Sequence, residues 1–185
     1  MKIISSIFLL FFFCFQHANA QNYITRNGKI SFFSHTKIED IKATSNEAFS
    51  SLNTQTGALQ FLILIKGFQF KNASMQQHFN DKEYMNSTEF PKSEFKGTIT
   101  NLSAINFKKD GSYQAVVEGT LTMHGVTNKV TTNGTITVKE GKISSKGVFN
   151  VKLTDYNIKV PSIVTAKVAE SVEITVDCNY EPFNR

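Results

Sequence analysis

Beyond the N-terminal segment the side chains able to do chemistry are few: His35, His78, His124 and Cys178. A metal site needs ligands repeated at a short fixed spacing, such as two histidines one helical turn apart. These histidines stand far apart, with no carboxylate beside them in a known ligand pattern. A nucleophilic serine or cysteine needs an oriented base, and no G-x-S-x-G elbow occurs. Cys178 by itself can form neither an internal disulfide nor a cysteine-based zinc site. It falls on the apolar side of a strand pattern, where a thiol behaves as a small inert hydrophobe. His124 stands beside Gly125 and reads as a solvated or turn-bonding residue. His78 reads as a structural hydrogen-bonding residue, with ligand contact as the alternative. Asp155 and Tyr156 read as a turn residue and an anchoring aromatic. The N-x-S/T tripeptides at Asn72, Asn86, Asn101 and Asn133 concern only a eukaryotic secretory host. Nothing here composes a catalytic, metal or cofactor site.

The elements that position these residues begin after a leader. Lys2 precedes an almost unbroken apolar run, Ile3 to Phe15, and Ala18-Asn19-Ala20 supplies the small residues of a signal-peptidase site. A run of 13 residues is too short for a membrane span, which needs about 20. Cys14 is not a lipoprotein acylation site, because Phe11–Phe13 precede it where small residues are required. The reading is therefore export with cleavage after Ala20, a domain over residues 21–185, and no membrane-spanning segment. The formal charge of the chain is +5, and without Lys2 it is +4. Basic and acidic residues are intermixed with no basic block, which gives nucleic-acid binding little support.

From residue 23 onward the dominant period is two. Tyr113, Ala115, Val117, Gly119, Leu121 and Met123 share one face; Val130, Thr132, Gly134, Ile136 and Val138 share another. Ile143, Ser145, Gly147, Phe149, Val151 and Leu153, then Val172, Ile174, Val176, Cys178 and Tyr180, continue the pattern. Such alternation means antiparallel strands wet on one side and buried on the other. Earlier strands are predicted near 29–36, 41–50, 58–70 and 95–101. Asn27-Gly28, Asp110-Gly111 and Glu140-Gly141 supply tight reversals. About eight antiparallel strands must split into a sandwich or close into a barrel. Residues 74–84 read as one short helix, with Ser74 as N-cap, Gln77 completing a capping box, and Met75, Phe79 and Met85 on its apolar side. Pro91 then breaks the chain.

Four strands each place a glycine on the inward face: Gly97, Gly119, Gly134 and Gly147. A mid-strand glycine costs about 0.5–1 kcal/mol relative to alanine, so a shared cause is expected. Curvature is one. Space is the other, because a wall without side chains leaves room for a guest, and an eight-stranded barrel is either just filled or just wide enough for one small ligand.

The segment Gly119-Thr-Leu-Thr-Met-His-Gly-Val-Thr-Asn-Lys-Val-Thr131 resembles the strand–turn–strand signature of the YceI-like family. His78-Phe79, Tyr84, Phe90-Pro91 and Phe95-Lys96-Gly97 are similar to its H-L…F…Y-P…F-K segment, and Ala169 to Val176 to its final strand. The resemblance implies an all-β, eight-stranded antiparallel lipocalin-like barrel with a short helix near the mouth. It further implies a non-catalytic carrier of an apolar or amphiphilic lipid, isoprenoid-like or fatty-acid-like, in the periplasm or outside the cell. The residues expected to meet that ligand are His78, Phe79, Phe95, Gly97, Ile99, Val117, Gly119, Leu121, Met123, Gly134, Ile136, Gly147, Phe149, Val151 and Ile174. Where many members carry an Arg-Asp pair before the helix histidine, this chain has Met75 and Gln76, so Lys66 or Lys71 is left as a replacement cation. A buried five-carbon isoprene unit contributes roughly 3–4 kcal/mol against about 0–1 for an exposed ion pair, so the tail dominates. The alternative left open is a filled-core β-domain that serves protein interaction.

Overall fold

The structure is a computed structural model that describes residues 22–183. The expected leader lies outside the described residues. In chain order the strands are β1 (Asn22–His35), β2 (Asp40–Asn53), β3 (Ala58–Leu64) and the two-residue β4 (Gln69–Phe70). Helix α1 (Ala73–Asn80) follows, then β5 (Lys92–Ile99), β6 (Gly111–Met123), β7 (Val126–Lys139), β8 (Lys142–Lys152) and β9 (Ser171–Phe183). Every pairing is antiparallel, in the order β1-β9-β8-β7-β6-β5-β3-β2, and β1 pairs back onto β2 from Asn22↔Asn53 to His35↔Asp40. That last pairing closes the sheet into an eight-stranded barrel, with β4 a short addition on β2 through Ala43↔Phe70.

Alternation explains the closure. On β6, Ala115, Val117 and Leu121 are buried while Gln114, Glu118 and Thr120 are exposed. Both long hairpins are two-residue turns with positive φ at each central residue: His124 (50°) with Gly125 (76°), and Glu140 (52°) with Gly141 (74°). This geometry matches the right-handed strand twist. His124 tolerates it because its Nδ1–H donates to the Tyr156 carbonyl at 3.0 Å and its ring meets Phe90 edge-on at 4.6 Å.

Several local expectations need correction. Asn27-Gly28 is not a reversal but lies inside β1, at a bulge where the β1–β2 register shifts. A methyl group on Gly28 would lie 2.8 Å from Cys178 Sγ, so close backbone approach selects glycine there. Asp110-Gly111 is no hairpin either. A connection with a 3-10 turn at Leu102–Ala104 leads into β6, and the Asp110 carboxylate accepts from the Glu140 amide at 3.0 Å. The expected strand 58–70 is broken by a 3-10 turn, Ile65–Gly67. The helix starts earlier and ends sooner than 74–84. Asn72, not Ser74, is the N-cap, its Oδ1 accepting from the Ser74 and Met75 amides at 2.8 and 3.4 Å.

The core divides along the barrel axis. At the end holding the 140–141 turn, Leu52, Leu59, Ile99, Ile105, Val138, Ile143, Cys178 and Tyr180 are packed into a solid floor. Within it the Tyr180 hydroxyl meets Ser50 Oγ at 2.9 Å and Ser145 Oγ at 3.3 Å, which satisfies all three buried hydroxyls. At the opposite end two smaller clusters, one around Ile65, Met85 and Val151 and one around Ile30, Ile63 and Phe68, line a wall and leave the middle unfilled.

Candidate functional site

Above the floor the barrel encloses a cavity of about 500 Å³, within the range of about 300–1,000 Å³ typical of small-molecule sites. Aliphatic and aromatic side chains from every long strand line it, among them Ile30, Phe61, Phe95, Val117, Leu121, Ile136, Phe149, Val151 and Ile174. Such a lining excludes water from an apolar guest and makes few directional demands on it.

Two segments cover the open end. The first is α1, whose Met75 and Phe79, four residues apart, both border the cavity. Phe79 sits among Phe32, Phe70 and Phe68 at ring-centroid distances of 5.5, 5.0 and 5.7 Å. Such aromatic pairs contribute about 0.5–1.5 kcal/mol beyond area burial. The second cover is the link from β8 to β9, which turns Ile158, Val160, Val164 and Val168 towards the cavity. It is tied down where the Leu153 amide donates to the Glu170 carbonyl, and where the Ala169 amide donates to the buried hydroxyl of Ser34, each at 2.9 Å. Lys167 also reaches Glu39 at 3.9 Å.

Polar groups sit at the rim. His78 is exposed, with Nδ1 3.3 Å from Asp81 Oδ2, and borders the cavity with Asn72, Ser74 and Tyr84. The perturbed groups lie elsewhere. Burial first, and the Asp177 charge second, push the Cys178 thiol up to about 12. Burial also raises Tyr180, beside Cys178 in the floor, and Tyr156 behind β7. Among the described residues, no group of three or more His, Cys, Asp or Glu gathers to hold a metal.

Thirteen of the fifteen residues expected at the interior border the cavity: His78, Phe79, Phe95, Ile99, Val117, Leu121, Met123, Gly134, Ile136, Gly147, Phe149, Val151 and Ile174. Gly97 and Gly119 do not. They face each other across β5 and β6, and a methyl group on either would lie 2.6–2.7 Å from Cζ of Phe95, whose ring covers both. Their missing side chains make room for that ring rather than for a guest. Gly134 and Gly147 also face each other and do border the cavity, with nothing nearer a Gly147 methyl than the Asn133 carbonyl at 3.9 Å. Lys66 and Lys71 are exposed and away from the lining; the lysines that border it are Lys146 and Lys167. Sequence reasoning missed Phe32, Phe68, Phe70 and the whole 158–168 cover. Phe68 and Phe70, spaced by two after an apolar strand, were the legible signal for the first group.

A closed antiparallel barrel with a floored, capped, apolar interior defines the class. The chain belongs to the YceI-like domain family, whose model matches residues 16–180. It is 29% identical over 118 residues to the UPF0312 protein plu2095 of Photorhabdus laumondii; the match spans 60% of this chain and 57% of that relative. Its fold is similar to that of a polyisoprenoid binding domain from Saccharophagus degradans implicated in plant cell wall breakdown. That TM-score is 0.76 at 12% identity, covering 89% of this chain and 99% of the other. Burkholderia cenocepacia BcnA follows at 0.68 and 18%, covering 83% and 96%. The Campylobacter jejuni YCEI protein follows at 0.60 and 16%, covering 80% and 88%.

Proposed function

We propose that the barrel binds the apolar chain of an isoprenoid-like or fatty-acid-like amphiphile and carries it without catalysing a reaction on it. The observation that carries this reading is the cavity of about 500 Å³ between a packed floor and two apolar covers. Each buried methylene contributes about 0.8 kcal/mol, so an elongated chain gains affinity with length and needs few polar contacts. The polyisoprenoid-binding description of the Saccharophagus degradans domain supports the same ligand class. A filled interior that serves protein interaction is disfavoured by the same cavity.

The direct test is native mass spectrometry of protein purified from its own host, which should show an apolar adduct. Titration with geranylgeraniol should raise the melting temperature, by about 2.7 kcal/mol of stabilisation at a hundredfold excess over Kd. Absence of both effects rejects the reading. We further propose export with removal of residues 1–20, supported by the apolar run and the Ala18-Asn19-Ala20 site. Intact mass of the exported protein should correspond to a chain beginning at Gln21, and a product retaining Met1 would reject it.

A further inference from the structure

The wall of the barrel is not continuous. The β7–β8 ladder runs from Lys139↔Lys142 to Gly134↔Gly147 and, among the described residues, goes no further. Both strands continue. Residues 126–133 of β7 stay paired to β6, and residues 148–152 of β8 stay paired to β9. The two strands therefore part company at the glycine pair and leave a slit in the mouth half of the wall. One end of it is bridged by Thr132 Oγ1, which donates to the Val148 carbonyl at 3.3 Å; the other is closed by Asn128 Nδ2, which donates to the Asp155 carbonyl at 2.6 Å.

The interior reaches through this slit. Asn133, Thr135 and Lys146 alternate with inward residues and so belong to the outer face, yet they border the main cavity alongside Gly134 and Gly147. Outside lies a second hollow of about 250 Å³, formed by residues 128–131 and 149–152 with Asp155 and Tyr156. It shares Val130, Phe149 and Val151 with the main cavity. The hollow holds two lysines and one acid. Lys129 of β7 and Lys152 of β8, both exposed on the outer face, border this hollow from its two sides. Neither belongs to an ion pair among the described residues. Two cations on one hollow repel each other, and an anion between them turns that repulsion into attraction.

We propose that the slit between β7 and β8 seats the head of the ligand. The apolar chain lies along the barrel, and an anionic head group, phosphate or carboxylate, emerges sideways between Lys129 and Lys152 rather than through the α1 end. The proposal rests on the reading of the cavity as a binder of apolar chains and adds the class of head group and its exit.

The test compares geranylgeraniol with geranylgeranyl monophosphate, each displacing phenylnaphthylamine from the mature chain, and repeats the phosphate arm with palmitate against hexadecanol. The wild type should bind the anion at least about tenfold more tightly than the alcohol, the size expected of charge-assisted hydrogen bonds, and salt should erode that margin. In the Lys129→Gln/Lys152→Gln variant the ratio should fall to about one while the thermal melt shows a folded barrel. A ratio unchanged in that variant overturns the proposal, as does equal binding of anion and alcohol by the wild type. So does loss of the ratio in Lys167→Gln instead, which would move the head to the α1 end. If the wild type binds none of the four compounds, the cavity reading itself fails and this inference fails with it. A margin for the phosphate but not for palmitate, lost in the double-lysine variant, supports the slit and assigns it to phosphate heads.

Discussion

The ring of Phe95 lies over Gly119 of the neighbouring strand, 2.7 Å from where a Cβ would stand. On its other side a methyl group there would collide with the Lys96 carbonyl oxygen. Glycine is required by two obstacles at once, one a flexible ring and one a backbone atom that cannot move without breaking the β5–β6 ladder.

Gly119→Val should therefore destabilise the barrel by about 1–3 kcal/mol or more, through overpacking and backbone displacement. Gly147→Val should behave oppositely. Its site is open, valine suits a strand, and the new side chain projects into the cavity. The melt should hold to within about 1 kcal/mol while affinity for an apolar probe falls. Paired thermal melts and probe titrations on both variants check this, and a collapse of Gly147→Val would contradict it.

Tyr180→Phe should cost about 1–3 kcal/mol in urea denaturation, because Ser50 and Ser145 are then left as buried hydroxyls without their shared partner. Replacing Ser50 as well as Tyr180 should cost less than the two single losses added together.

The thiol of Cys178 should resist alkylation in the native protein at pH 8 and react once the chain is unfolded. Its pKa rises from an ordinary 9.0 to about 12 through burial and Asp177. Between those values the folded state holds a proton that the unfolded state has released. That part of the stability is intact below pH 9 and is lost as the pH climbs towards 12. Tyr180, raised by the same burial, acts in the same direction. Equilibrium unfolding across pH 8–12 should show stability falling; a Cys178→Ala variant should show a shallower fall.

Phe79→Ala removes the ring that joins α1 to Phe32, Phe68 and Phe70. Phe79 is only partly buried, so the cost should be about half the 3–5 kcal/mol of a core Phe→Ala change. Hydrogen exchange should quicken in α1 while the floor strands keep their protection. Asn72→Ala should loosen the same helix by about 1 kcal/mol through loss of its cap.

Strands and their inward faces were legible because period-two patterning is a local property of the chain: Val117 and Ile136 are buried where alternation puts them. What was not legible depends on partners distant in sequence. Gly28 looks like a turn residue until Cys178, far along the chain, is seen against it. The helix start depended on two nearly equivalent caps, and Asn72 outcompeted Ser74. The inward glycines have different causes, Gly97 and Gly119 under a ring, Gly134 at 2.9 Å from the Lys146 carbonyl oxygen and Gly147 beside open space, and nothing in their spacing separates them. The 157–170 cover carries no regular period, so only its scattered valines hinted at an apolar face.

The solid floor has a consequence for how this chain can change over generations. Cooperative folding is anchored by residues such as Leu52, Val138, Ile143 and Tyr180, which lie below the hollow and are not part of its lining. Substitutions in the upper half, at Phe32, Phe70 or Val164 for instance, reshape the space without dismantling the foundation. A library randomised in the upper half should yield mostly folded proteins with diverse cargo preferences, whereas the same diversity placed in the floor should yield mostly unfolded ones. If the barrel is a carrier as proposed, it can change what it binds by gradual exchange of its lining while the floor keeps it folded.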